Sequence, residues 1–215
     1  MQHILFDLDG TLIDHFSAIH RSVAHAQRQL GLPESDYAKV RATVGGSVPI
    51  TLAKLCGESH VEDAIPLFRE HFAEIMYDDV ATIPGSEWLL RALRSRGHKL
   101  AVFTNKYETH AESVLEHLGL APYLDEIIGT GHGHGFRKPD PRFTREALER
   151  MNCSCEEAAM VGDSPYDFAA AQAGGLPCYL VATGSHSAGQ LAEETEADGI
   201  YGDLRELAGA VFSIT

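Results

Sequence analysis

Short apolar runs that end in polar residues recur along most of the chain, at positions 4–6, 100–103, 127–128, 158–161 and 178–181. Their near-continuous apolar character suits strands buried on both faces, as in a parallel sheet. Between them the spacing becomes helical. Residues 86–96 set Trp88, Leu89, Ala92 and Leu93 on one face and stop at Gly97, residues 107–118 stop at Gly119, and residues 142–151 follow Pro141. Strands alternating with helices that glycine terminates predict an α/β fold built on a doubly wound parallel sheet. Ile200 and Tyr201 predict a short edge strand.

One stretch breaks this rhythm. From His15 to about Thr82 there is helical periodicity and no convincing strand. Phe16, Ile19, Val23 and Leu30 share a face, Gly31-Leu32-Pro33 stops it, and residues 49–55 make a shorter helix after Gly45-Gly46. Val61, Ile65, Phe68, Phe72 and Ile75 form a further stripe. The pattern predicts a small all-helical domain, residues 15–82, set into a core made of 1–14 and 83–215. Its hinges fall near Asp14 and near Ile83-Pro84-Gly85.

Composition narrows the classes of function. With 17 basic against 31 acidic residues the formal charge is −14, which repels phosphate backbones and argues against nucleic acid as a partner. Cys56, Cys153, Cys155 and Cys178 are too scattered for a disulfide framework, and Cys153-Ser154-Cys155 lacks the further ligands of a zinc site. Free thiols suit a reducing compartment, hence the cytoplasm. The first residues carry neither a basic leader nor a long apolar run, so no membrane association is expected. Nothing distinguishes a monomer from a homodimer.

Four polar islands carry the candidate chemistry. Asp7 and Asp9 follow the first apolar run, and alternation along an extended strand puts both on one side with Leu8 facing away. A turn or helix cap would also explain an Asp-x-Asp. At the C-terminal edge of a parallel sheet, however, two carboxylates held together invite Mg²⁺. Gly10 lets the backbone approach closely, with its amide available to a phosphate. Thr104-Asn105 follows a strand, where the Thr104 hydroxyl either caps a helix or donates to a phosphoryl oxygen. Lys138 precedes Pro139, which biases it toward an extended loop conformation. Asp163 ends the strand at 158–162, Ser164-Pro165 reads as a helix start, and Asp167 falls where a capping-box carboxylate belongs. From the residues alone these islands describe a Mg²⁺-binding carboxylate site with a lysine nearby.

Taken together, Asp7-Leu8-Asp9-Gly10-Thr11, Thr104, Lys138 and Gly162-Asp163-Ser164-Pro165-Tyr166-Asp167 resemble, in order, the four motifs of the haloacid dehalogenase superfamily. The helical stretch is similar to the cap of its phosphoglycolate-phosphatase-like subgroup. The resemblance implies hydrolysis of a small phosphorylated metabolite in two steps. Asp7 attacks phosphorus to form an aspartyl-phosphate, and Asp9 protonates the leaving alkoxide and then activates water. Thr104 and Lys138 stabilise the equatorial oxygens, with Gly10 and Asn105 as further phosphate contacts. Mg²⁺ is held by Asp7, the backbone carbonyl of Asp9, and Asp163, with Asp167 orienting Lys138 or a metal-bound water.

Asp9 favours an oxygen leaving group, because dehalogenating relatives lack an acid there. A phosphomutase of the β-phosphoglucomutase type shares all four motifs, but Thr11 follows the phosphatase habit. A phosphoaccepting binding module is a third reading, against which the helical insertion and the Asp-x-Asp-Gly-Thr start both count. In the segment 41–46, Arg41 is a candidate for a substrate carboxylate and Gly45 for a close approach to substrate; His20 and Arg21 are further candidates on the first helix. Gly131-His132-Gly133-His134-Gly135 reads as a loop able to affect access. Phosphoglycolate is the default substrate.

Overall fold

A computed structural model describes residues 2–131, 133 and 135–214. Its central sheet has six strands, β1 (His3–Phe6), β4 (Lys99–Tyr107), β5 (Glu126–Thr130), β6 (Ala158–Gly162), β7 (Cys178–Val181) and β8 (Gly199–Tyr201). Their order is β5-β4-β1-β6-β7-β8, and every ladder is parallel. Successive connections run outward from β1 through β4 to β5, then return to the other side of β1 for β6, β7 and β8. The crevice at the C-terminal ends of β1, β4 and β6 is therefore the switch point where such sheets bind ligands.

The continuous apolar runs have a simple physical origin. Ile4, Leu5 and Phe6 of β1 are fully buried. Ile4 and Phe6 pack with Leu89 and Leu93 of α5 (Ser86–Ser95), Val114 of α6 (Glu108–His117) and Leu207 of α10 (Leu204–Phe212). Leu5 faces the opposite way, onto Phe143 and Ala147 of α7 (Pro141–Arg150) and Ala170 of α8 (Pro165–Gly174). Helices thus cover both faces, and every position of β1 after His3 is buried and apolar. Truncating one such side chain to alanine costs about 2–5 kcal/mol.

Between β1 and β4 stand α1 (Phe16–Gln29), α2 (Tyr37–Arg41), α3 (Val48–Cys56) and α4 (Val61–Ile75). Ile19, Val23, Leu52, Phe68 and Phe72 give them an apolar centre of their own. Helix α2 is absent from the apolar pattern because only Val40 of it is buried; Asp36 starts it by accepting from the Lys39 amide. Two further elements are at odds with the absence of strands before position 82. β2 (Ile13–Asp14) and β3 (Ala81–Thr82) pair antiparallel, Ile13 with Thr82 and Asp14 with Ala81. Two residues are too few for any periodicity to register. α9 (Ala188–Glu194) completes the chain's elements. No described helix is long and apolar enough to cross a membrane.

Candidate active site

Asp7 continues β1 beyond its last ladder residue, its amide donating to the Val161 carbonyl at 2.8 Å. Lys138 reaches it from the loop before α7. The Lys138 ammonium donates to Asp7 Oδ1 at 2.7 Å, Asp167 Oδ1 at 2.6 Å and the Phe103 carbonyl at 2.8 Å. Three acceptors match its three protons, which is what a lysine only 1% exposed needs to stay charged. Burial alone would depress its pKa, but Asp167 and Asp7 together raise it above the usual lysine range.

Asp163 stands at the end of β6. Its Oδ2 accepts from the Ser185 amide at 2.8 Å and the Ser185 hydroxyl at 3.0 Å, and its Oδ1 from the Thr11 hydroxyl at 3.5 Å. Asp167 forms the capping box of α8, Oδ2 accepting from the Asp163 amide, the Ser164 amide and the Ser164 hydroxyl. One oxygen anchors the helix and the other holds Lys138, so a capping role and a site role coincide in one carboxylate.

Asp7, Asp163 and Asp167 present oxygens within 4.8 Å of one another. Burial pushes Asp7 up to about 6 against the pull of Lys138, and burial with the charge of Asp167 raises Asp163 well above the carboxylate range. Three buried acids with one buried cation between them are short of positive charge. Their all-oxygen donor set fits a hard divalent cation. The backbone is pared back around them, since a Cβ on Gly10 would lie 2.7 Å from Asp163 Oδ2, and one on Gly184 would lie 1.9 Å from it.

Asp9 has partners that the motif reading did not include. Lys106 Nζ lies 2.7 Å from its Oδ2, and His15 Nδ1 lies 3.6 Å from its Oδ1. Burial would raise its pKa, but Lys106 and His15 together hold Asp9 well below the usual carboxylate range. His15 in turn faces the Met76 carbonyl through Nε2 at 2.7 Å. The available signal for Lys106 was its place directly after Thr104-Asn105; His15, at the start of a helix, carried none.

Asp7, Asp9, Thr104, Asn105 and Lys106 line one side of a cavity whose other wall comes from α1, α3 and α4. Thr104 is buried there, its hydroxyl accepting from the Lys106 amide at 3.2 Å and so keeping its own proton to donate. It sits inside β4 rather than at a helix cap, because the strand runs on to Tyr107.

Gly10, Asn105 and Arg41 make their hydrogen bonds with backbone groups of the protein. The Gly10 amide donates to the Ile13 carbonyl at 2.8 Å, so it closes a turn instead of facing a phosphate. The Asn105 side chain brackets the Lys138 backbone, accepting from its amide at 2.7 Å and donating to its carbonyl at 3.2 Å, with a further bond to the Gly45 carbonyl. It is a positioning group. Arg41 donates to the Thr183 and Gly184 carbonyls at 3.0 and 3.1 Å, tying α2 to the sheet's far loop. Gly45 does line the cavity, through backbone whose carbonyl Asn105 already uses. Of the further candidates, His20 Nε2 lies 3.1 Å from the Ser35 carbonyl and Arg21 pairs with Asp78 and Asp79. His132 and His134 lie outside the described residues.

A doubly wound sheet with an acid-lysine cluster at its switch point suits a protein that handles phosphoryl groups. The chain belongs to the haloacid dehalogenase-like hydrolases, whose family model matches residues 4–181. It is 35% identical to a phosphoglycolate phosphatase of Aquifex aeolicus over 86% of each chain. It is 34% identical to one from Cupriavidus necator, covering 84% of this chain and 80% of that one. Among solved structures, a predicted phosphatase from Clostridium acetobutylicum superposes with a TM-score of 0.91 at 28% identity, covering 99% of both chains.

Proposed function

We propose that this hydrolase is a Mg²⁺-dependent phosphatase that cleaves a small phosphomonoester through an aspartyl-phosphate, with phosphoglycolate as the substrate. The observation that carries the reading is the buried Asp7–Lys138–Asp167 chain with Asp163 beside it, opening onto a cavity walled by helices. The relatives called phosphoglycolate phosphatases support the substrate. In this reading residues 15–82 act as a lid over a core formed by 1–14 and 83–215. The four free cysteines support a reducing, cytoplasmic setting.

Asp7 is the nucleophile, its free oxygen directed at phosphorus while Lys138 fixes the other. Thr104 donates its hydroxyl proton to an equatorial phosphoryl oxygen, and Lys138 neutralises charge that builds there. Asp7, Asp163 and the Asp9 carbonyl would hold Mg²⁺, and the charge it would supply there is what shields the nucleophile from the anionic ester. Asp9 supplies the leaving alkoxide with a proton and later takes one from the attacking water. As the structure holds it, Asp9 is ionised, the form needed for the second task. The negative charge of a bound phosphate dianion beside Asp9 raises its pKa, so that Asp9 takes up from solvent the proton needed for the first.

The test is a panel of phosphate esters assayed for released phosphate with Mg²⁺ and with EDTA, alongside Asp7→Asn. Turnover should require both the metal and the Asp7 carboxylate. Undiminished turnover in Asp7→Asn would overturn the reading.

A further inference from the structure

Arg69, which no motif drew attention to, lies on α4 between the buried Phe68 and the buried Phe72 and lines the same cavity as Asp7 and Thr104. Its guanidinium carbon sits 4.4 Å from the centroid of the Tyr107 ring, and its Nε is buried without a hydrogen-bond partner. Among the described residues no carboxylate pairs with it. Lys106, the other strong cation of the wall, is committed to Asp9. Burial, followed by Lys106 and Arg69, keeps His110 below its usual pKa, so that neighbour is a neutral ring.

A guanidinium stacked on an aromatic face, with a buried donor left over, is poorly satisfied until a planar anion meets it. The phosphoryl end of a substrate is claimed by Asp7, Thr104 and Lys138. The helical wall of the cavity contributes hydrocarbon from Ile19, Val48, Leu52 and Phe68. Such a wall would strip water from sugar hydroxyls without replacing it, whereas a short carboxylate needs only the one fork.

We infer that Arg69 is the specificity residue of this site, binding a carboxylate carried a few bonds from the phosphoryl group. The inference rests on the phosphatase reading above and assigns the substrate class, phosphorylated short-chain carboxylic acids. It transfers to α4 the role that the sequence suggested for Arg41.

The experiment compares kcat/KM for phosphoglycolate and for ethyl phosphate, which lacks the carboxylate, in the wild type, Arg69→Lys and Arg69→Gln. p-Nitrophenyl phosphate serves as a general substrate that reports phosphatase chemistry alone. The wild type should prefer phosphoglycolate. The preference should fall at least about 10-fold in Arg69→Gln, mainly through KM, and be partly kept in Arg69→Lys. An unchanged preference in Arg69→Gln, or an equal loss on both esters, would overturn the assignment while leaving the phosphatase reading intact. A wild type inactive even on p-nitrophenyl phosphate would overturn both.

Discussion

The Lys138 ammonium lies 2.7 Å from Asp7 Oδ1, and both groups are almost wholly withdrawn from solvent. The pairing fixes one oxygen of a carboxylate that lines the cavity. Lys138→Met would remove the cation that Asp7 and Asp167 share. It should cost about 3–5 kcal/mol of folding stability, read from urea unfolding without metal. Turnover should fall by at least about 10²-fold.

Metal binding and pH should be linked. The Asp7 pKa is about 6 in the folded chain against 3.8 for the free group. The folded state therefore holds the extra proton between those values, and the metal-free protein loses stability as pH rises through that window. A bound cation needs the ionised form. Mg²⁺ should raise the melting temperature clearly at pH 7.5 and far less at pH 5, and Asp163→Asn should erase the increment at both. Calorimetric scans with and without Mg²⁺ check this.

Gly10 has φ +95°, and a methyl group there would meet Asp163 Oδ2 at 2.7 Å and Gly184 Cα at 2.8 Å. Gly10→Ala should destabilise the fold by about 1–3 kcal/mol. Because the clash falls on Asp163, Mg²⁺ affinity measured by titration calorimetry should weaken as well.

Lys106→Met should uncouple Asp9 from its strongest partner. Asp9 lies well below the ordinary carboxylate range with Lys106 present, so its pKa should rise in the variant. Because the ionised acid is what takes a proton from the attacking water, the acidic limb of the kcat profile should then move to higher pH, with kcat down about 10–100-fold at neutral pH. A profile identical to that of the wild type would exclude the pair from catalysis.

Arg41→Ala offers a contrast with Arg69. It removes two hydrogen bonds to backbone carbonyls, a loss of about 2–4 kcal/mol in stability. The preference for phosphoglycolate over ethyl phosphate should stay as it was, because the side chain is turned toward Thr183 and Gly184.

The strands and their polar ends were legible because a doubly covered sheet leaves no choice of residue within β1 or β6, and the chain must become polar where it reaches solvent or a ligand. Asp7 and Asp163 stood out for that reason, and Lys138 as a loop residue before Pro139. Lys106, His15 and Arg69 did not, since each acquires meaning only from a partner distant in sequence. Lys106 finds Asp9 across 97 positions, and Arg69 reads from sequence as one more cation on an amphipathic helix. The roles suggested for Gly10, Asn105 and Arg41 were displaced by a backbone that needed their hydrogen bonds first.

The pair of two-residue strands, Ile13-Asp14 against Ala81-Thr82, has a mechanical consequence. Both crossings between the helical layer and the sheet are stitched into a single ribbon, so a movement of the layer would turn about one axis instead of twisting each connection separately. Gly10 is bonded to Ile13 within that ribbon, and Asp9 bridges to the same residue. If Asp9 transfers the proton as proposed, this bridge would tie the acid to the ribbon, and a movement of the helices over a bound ester would also change the angle at which the acid meets it.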